Sequence, residues 1–298
     1  MAGMCIVIPV FNGWESTERC LRALEASEYR EFTTVVVDHG STDATADILP
    51  ARFPDVVHLR ESESLWWTGA TNVGIRWALD SGAAAVVLLN NDCELAPAAL
   101  ATLVGHAERT PGVIAPVQRV AHTGRVLCVS AVPLVALGFP TLFVKRKIPA
   151  TVPSPAKMIC GGRGVLVPVD VFDRVGLLAE EDLPHYLADH DFYLRCRKAG
   201  VPLWAAGDAD VFVDESRTSV ATSPATLSWS EFRATLQNPR SHRNVPSLVS
   251  FFRRHYPIRA LAPVGVWLNV ARYHATWALG RLRPRRRRGD PGAGSGDG

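Results

Sequence analysis

Four short apolar runs divide the first ninety residues of this chain, and each ends abruptly in polar residues. Cys5 to Val10 closes on Phe11-Asn12-Gly13, and Val35-Val36-Val37 closes on Asp38-His39-Gly40-Ser41-Thr42-Asp43. Val56 to Leu59 precedes a loop with Trp66 and Trp67, and Ala83 to Leu89 stops at Asn90-Asn91-Asp92. Short apolar runs bounded by such turn residues predict buried strands. Between them Cys20, Leu21 and Leu24 predict one helix, and Gly69 to Leu79 predicts another. Strands alternating with helices at this spacing predict an α/β domain with a mostly parallel central sheet and right-handed crossovers.

Beyond Pro97, which suits the first turn of a helix, the pattern is less regular. Val113 to Val120 and Val126 to Ala131 predict strands, and Lys145 to Lys157 a loop. Regularity returns after Gly161-Gly162-Arg163-Gly164, with a strand at Val165-Leu166-Val167 and a short helix around Val171 to Val175. A further helix runs from Asp189 to Ala199 and is terminated by Gly200. Val126 to Val144 is a stretch without a charge that reaches the length of a membrane span. Pro133, Gly138 and Pro140 interrupt it, so strands or a buried loop are expected there.

At 298 residues, 47% of them hydrophobic and 20% charged, the chain has the length for one large α/β domain with an appendage, or for two domains. Charge sharpens the division. Residues 1–231 hold 27 acidic against 19 basic residues, whereas residues 232–289 hold 13 arginines and no acid. That asymmetry predicts a negatively charged partner for the C-terminal segment. Val264, Val266, Trp267, Leu268, Val270, Tyr273, Trp277 and Leu279 precede Arg281-Leu282-Arg283-Pro284-Arg285-Arg286-Arg287-Arg288. Interfacial aromatics with a polybasic end favour an anionic membrane surface over nucleic acid, the alternative being a packing helix with a solvated basic end. Residues 289–298 have the composition of a disordered tail. The six cysteines form no C-x-x-C pair, and the first ten residues carry no signal-peptide pattern, so a cytoplasmic location is expected.

Ligands of open α/β sheets bind beyond the carboxyl ends of the strands, where this chain gathers carboxylates. Asp38 with Asp43 and then Asp92 follow predicted strands, and Asp189-His190-Asp191 opens a later helix. Each alone reads as a turn or a helix cap. Three acidic clusters around one cleft suggest a division of labour. A divalent metal at Asp92 would neutralise a diphosphate, Asp38 would hydrogen-bond a base or ribose, and Asp189 would serve as base for an incoming hydroxyl. No G-x-G-x-x-G follows the first strand and no G-x-x-x-x-G-K-[ST] occurs, which argues against a dinucleotide oxidoreductase and a P-loop phosphotransferase.

Five segments carry a family resemblance. Ile6-Val7-Ile8-Pro9-Val10-Phe11-Asn12, Val36-Val37-Asp38-His39-Gly40-Ser41-Thr42-Asp43, Thr68-Gly69-Ala70-Thr71-Asn72-Val73-Gly74, Leu88-Leu89-Asn90-Asn91-Asp92 and Pro184-His185-Tyr186-Leu187-Ala188-Asp189-His190-Asp191-Phe192 resemble, in this order, the family 2 glycosyltransferases. The resemblance covers about residues 4–255, with Arg243-Asn244 near its end, and extends to bacterial rhamnosyl- and galactofuranosyl-type transferases of cell-surface glycans. It implies a GT-A fold over residues 1–231, with a donor half in about 1–95 and an acceptor half in about 96–231, followed by a basic helical extension over 232–288. The implied reaction is an inverting transfer from a UDP- or dTDP-sugar to a hydroxyl of a polyprenyl-linked or cell-surface glycan, at the inner face of the cell membrane.

By the same resemblance Pro9, Phe11, Asn12, Asp38, Asn72, Asn90 and Asn91 are donor-side residues, and Asp92 binds Mg²⁺ or Mn²⁺. Asp189 matches the catalytic base, with Gly161, Gly162, Arg163, His185, Tyr186 and Asp191 on the acceptor side. Read from the residues themselves, Trp66 and Trp67 would stack on a sugar or cover the donor as a mobile loop, the equal alternative being that the pair packs in the core. The chain also departs from the family pattern. Asn90 stands where the metal motif often begins with Asp, Thr71 where many relatives have Arg, and Asp214 where several end a strand in a metal-binding His. Asp214 would then be a substitute oxygen ligand, the equal alternative being a surface turn. These departures leave open a noncatalytic sugar-nucleotide or glycan-binding protein, although a binding module has no need of a base at Asp189.

Overall fold

A computed structural model of the chain describes residues 3–149, 151–214 and 224–282. Its first half follows the predicted alternation: β1 (Met4–Val10), α1 (Trp14–Glu25), β2 (Phe32–Asp38), α2 (Thr45–Arg52), β3 (Val57–Arg60), α3 (Trp66–Asp80) and β4 (Ala85–Leu89). β1 pairs in parallel with both β2 and β4, and β2 with β3. β1 and β4 are buried at every position, as their unbroken apolar runs require. Helix α2 is an addition to the predicted elements, and α3 departs from its predicted boundaries. It begins at Trp66, so the two tryptophans expected in a loop form its first turn instead. The helix lies close on the sheet because Gly74 permits it: a Cβ there would meet Val7 Cγ1 at 2.3 Å.

The second half comprises β5 (Cys93–Leu95), α4 (Ala99–Ala107), β6 (Val113–Val120), β7 (Val126–Cys128), β8 (Ser130–Leu134), β9 (Phe139–Val144), β10 (Ser154–Pro155), β11 (Arg163–Pro168), α5 (Val169–Val175), α6 (Ala188–Lys198) and β12 (Leu203–Val213). The main sheet runs β10-β12-β6-β11-β4-β1-β2-β3, with apolar layers on both faces. β6 and β12 are parallel, but β11 is antiparallel to both of its neighbours, β4 and β6. This reversal builds the site. It pairs Arg163, at the start of β11, with Leu89, at the end of β4, and so sets Gly161-Gly162 beside Asn90-Asn91-Asp92.

The uncharged stretch from Val126 to Val144 forms β7 and the separate β8–β9 hairpin, and no described helix is long and apolar enough to cross a membrane. Three helices complete the chain: α7 (Trp229–Thr235), opened by a Ser228–Glu231 capping box, α8 (Val245–His255), capped by Asn244, and α9 (Ala262–Leu282). α9 packs along the hairpin, where Asn269 Nδ2 donates to Gly138 O at 2.6 Å. Its apolar residues therefore divide, contrary to a helix whose whole apolar set faces lipid. Val266 and Val270 pack on the core, Tyr273 is buried, and Trp277 stacks on Phe232 at 5.8 Å, while Val264, Trp267 and Leu279 are exposed. The arginine run from Arg283 and the expected disordered tail lie outside the described residues.

Candidate active site

A cleft of about 940 Å³ opens where β4 ends and β11 begins, and it is bounded on the far side by the segment leading into α8 and by α9. Pro9, Trp67, Asn90, Asn91 and Asp92 line it from the first half of the chain. Gly161, Gly162, Arg163, His185, Tyr186 and Asp189 line it from the second. Eleven residues expected at the site from sequence are thus brought together.

At the β4 end, local hydrogen bonds fix the loop that presents Asp92. Asn90 N–H donates to Gly162 O at 2.7 Å, Asn90 Oδ1 accepts from Trp67 Nε1 at 3.1 Å, and Asn91 Nδ2 donates to Thr17 Oγ1 at 3.0 Å. Both asparagine side chains are occupied in shaping the loop. Asp92 is half-buried, and its carboxylate accepts only a weak bond from Cys93 Sγ at 3.4 Å, with no cationic partner among the described residues. Its oxygens are available to a hard divalent cation. No group of three or more His, Cys, Asp or Glu side chains that could hold a metal occurs among the described residues, so a metal at Asp92 would take its remaining ligands from diphosphate and water.

At the β11 end, Gly161 adopts φ 76° and its N–H donates to Asp189 Oδ2 at 2.6 Å, while Tyr193 OH holds Gly161 O at 3.0 Å. One oxygen of Asp189 is thereby anchored, and Oδ1 accepts no hydrogen bond from the described residues. His190 is also on the cleft wall, its Nε2 3.9 Å from Asp189 Oδ2, although adjacent positions on a helix do not face each other. Arg163 reaches Gln118 Oε1 at 2.8 Å. Arg163 Nε, His185 Nδ1, His190 Nδ1 and Arg272 Nε are buried without a hydrogen-bond partner in residues that line the cleft. Orphaned buried polar atoms gathered in one cavity point to a polar ligand.

A wall of ring side chains crosses the cleft. The Arg240 guanidinium lies over Phe11 at 4.4 Å and over Trp66 at 5.3 Å. From Trp66 the contacts continue through His185 (6.4 Å), Tyr186 (4.7 Å), His242 (6.1 Å) and Tyr273 (5.7 Å) between successive ring centroids. Arg272 closes the series, its guanidinium 4.3 Å from the Tyr273 ring and 4.6 Å from that of Phe139. Burial pushes His39, His185 and His242 each down to about 4, with neighbouring guanidiniums adding to the effect, so these imidazoles are neutral near pH 7. Arg240, His242, Arg272 and Tyr273 were not anticipated as site residues. Their one sequence signal was proximity to Arg243-Asn244 and to the basic end of the chain, because contact with the cleft depends on where α8 and α9 dock.

Other expected site residues serve the frame. Asn12 Oδ1 accepts the backbone N–H groups of Thr42 (2.7 Å) and Asp43 (3.2 Å), locking the loops after β1 and β2 together. Asn72 is buried and exchanges two hydrogen bonds with the backbone of Leu178, so its amide is unavailable to a donor. Asp191, expected to meet the acceptor, is fully buried. Its carboxylate takes Arg195 Nε and His255 Nε2, each at 2.7 Å, and ties α6 to α8. Burial alone would raise the Asp191 carboxyl, but the His255 hydrogen bond and the Arg195 guanidinium outweigh it and hold the group below the ordinary range. Asp214 lies beside Asp92 through a backbone hydrogen bond, yet its carboxylate faces Arg19 at 3.4 Å. Asp38 is buried, accepting Ser41 N–H at 2.8 Å, and like Phe11 it does not line the cleft, because Arg240 covers the Phe11 ring. Trp67, expected as a mobile cover, is fixed by helix α3 and by Asn90.

Residues 5–142 match the family model described as glycosyl transferase family 2. The match covers just under half of the chain, and this segment resembles a family 2 glycosyltransferase. The glycosyltransferase AglE of Haloferax volcanii is 31% identical over 93 residues, a stretch that spans about 30% of this chain and 30% of AglE. Among solved structures, residues 1–349 of S. aureus TarS with UDP-GlcNAc align over 95% of this chain and 92% of that one at 14% identity and a TM-score of 0.58. The Pyrobaculum calidifontis mannosyltransferase PcManGT, in complex with GDP-Man and Mn²⁺, aligns over 94% of this chain and 75% of its own at 18% identity and a TM-score of 0.57. The shared architecture is the GT-A fold.

Proposed function

We propose that this protein is an inverting glycosyltransferase that moves a sugar from a UDP- or dTDP-sugar to a hydroxyl of a glycan acceptor. The observation that carries the reading is Asp189, whose Oδ2 is fixed by Gly161 N–H while Oδ1 accepts no hydrogen bond from the described residues, in the same cleft as the Asp92 carboxylate, which has no cationic partner among them. Asp189 takes the proton from the acceptor hydroxyl as that oxygen attacks the anomeric carbon from the face opposite the leaving diphosphate, and one displacement inverts configuration. The anchored oxygen keeps the base from rotating away. Asp92 would hold Mg²⁺ or Mn²⁺, which when bound supplies positive charge against the diphosphate. The nucleotide-sugar complexes of the TarS and PcManGT neighbours support the donor class.

Release of nucleoside diphosphate from a panel of UDP-, dTDP- and GDP-sugars, with Mn²⁺ or Mg²⁺ and candidate glycan acceptors, tests the reading. Wild type turns over at least one donor, and Asp189→Asn loses about 10²–10⁴-fold in rate while still binding it. Donor binding without turnover in any combination would instead favour a noncatalytic sugar-nucleotide binding protein, an alternative motivated by Asn90, whose amide oxygen is engaged by Trp67.

The same proposal places the enzyme on the cytoplasmic face of an anionic membrane, acting on a lipid-linked or surface glycan. Exposed Ile258, Leu261, Val264 and Trp267, in a segment with 13 arginines and no acid over residues 232–289, support that location. Flotation with anionic liposomes, compared with a chain ending at Leu282, checks it; equal flotation with neutral liposomes counts against it.

A further inference from the structure

The ring wall of the cleft carries an arginine at each of its two ends. Arg240 sits at the Phe11–Trp66 end, where a nucleotide sugar enters on the proposed reading. Arg272 sits at the other end of the ring wall, clamped between Tyr273 and Phe139, with Nε buried and unpartnered and no carboxylate paired to it among the described residues. A buried, unpartnered guanidinium N–H is costly, and bidentate recognition of phosphate or carboxylate is what that group does best. Its surroundings are apolar: Leu127, Phe139 and Phe143 line this end of the cleft. β9 continues outward through exposed Leu142 and Phe143 to Lys145-Arg146-Lys147, all three exposed.

We propose that this end of the cleft is an acceptor subsite for an amphiphile, in which Arg272 binds a phosphate group and β9 guides the attached apolar chain outward. The acceptor is thereby a glycan linked through phosphate to a lipid, which selects one of the two acceptor classes above; the inference rests on the glycosyltransferase reading. His242 and Tyr273, between Arg272 and Tyr186, present neutral ring edges and a hydroxyl to the sugar that lies between the phosphate and Asp189. Arg272 is a specificity-determining residue and touches no reacting atom.

Calorimetric binding of decyl phosphate, decyl glucoside and inorganic phosphate, each below any micelle concentration and with UDP and Mn²⁺ saturating, tests this. Wild type is expected to bind decyl phosphate at least tenfold more tightly than either of the others. Arg272→Gln should erase that preference, and Arg272→Lys should keep part of it. UDP affinity and melting temperature are read on the same samples. Equal binding of decyl phosphate and decyl glucoside by wild type overturns the proposal, as does a preference that survives in a folded Arg272→Gln protein. Inorganic phosphate binding as tightly as decyl phosphate overturns the amphiphile assignment. Failure of UDP to bind strikes the donor-site reading separately, and competition between UDP and decyl phosphate would place both at Arg240 and overturn the subsite.

Discussion

Two aspartates two positions apart, Asp189 and Asp191, have opposite fates. Asp189 sits at 17% side-chain exposure on the cleft, and Asp191 at 0% inside an ion-pair network with Arg195 and His255. Asp191→Ala leaves buried cations unpaired and should cost about 3–5 kcal/mol, visible as a lower denaturant midpoint. Asp189→Asn should leave that midpoint within about 0.5 kcal/mol while removing turnover, since surface-facing substitutions away from such networks are nearly neutral. A second pair of effects separates donor charge from base. Arg240→Ala removes a guanidinium with no carboxylate partner among the described residues from the end proposed to take the donor, and should raise the donor KM about tenfold, from the loss of one charged hydrogen bond. Asp92→Ala or EDTA should abolish metal-dependent donor binding, with no change in the melting temperature of the nucleotide-free protein, because one carboxylate alone holds a metal weakly; a large EDTA-induced drop would reveal a structural metal instead. The residue types at these positions were legible in the sequence. Which of two neighbouring acids faces the cleft was not, because helix phase and the docking of α8 decide it.

At the scale of elements, backbone geometry is as decisive as side-chain chemistry. Gly161 holds φ 76° and delivers its N–H to Asp189, so Gly161→Ala strains the left-handed backbone that orients the base. We expect a fall in kcat larger than any change in donor KM, measured by steady-state kinetics. Gly74→Ala drives a methyl group against Val7 under α3 and should cost about 1–3 kcal/mol, read by urea unfolding. The apolar runs foretold β1, β4 and the Val35–Val37 part of β2 because burial on both faces leaves no polar position within them. They did not foretell the antiparallel β11, since a short apolar run carries no strand direction. Nor did they foretell that α3 begins at Trp66, because Trp67 is held there by Asn90, a residue far along the chain.

Across the whole molecule, three histidines near the cleft give stability a pH dependence. His39, His185 and His242 fall from 6.5 to about 4 on burial, so the unfolded chain binds more protons than the folded one in that window. Their contribution is complete above about pH 6.5 and lost as pH falls toward 4. Asp191, held below the ordinary carboxylate range, adds a loss at still lower pH. The melting temperature should therefore decline from pH 7 to pH 4.5, and less so in a His242→Asn variant; an unchanged slope would mean that His242 is already protonated in the folded state. The sequence by itself determined the α/β class, the buried strands and the motifs that resemble family 2 glycosyltransferases, and it marked Asp92 and Asp189 as candidates, since these follow from local pattern and ordered motifs. The tertiary structure alone decided that Asn72 and Asp191 are frame, that Asp214 faces Arg19, and that Arg240 and Arg272 stand at opposite ends of the ring wall. Those assignments depend on contacts between segments far apart in the chain, and hydrophobic periodicity reports only which face of an element is buried, not what it is buried against.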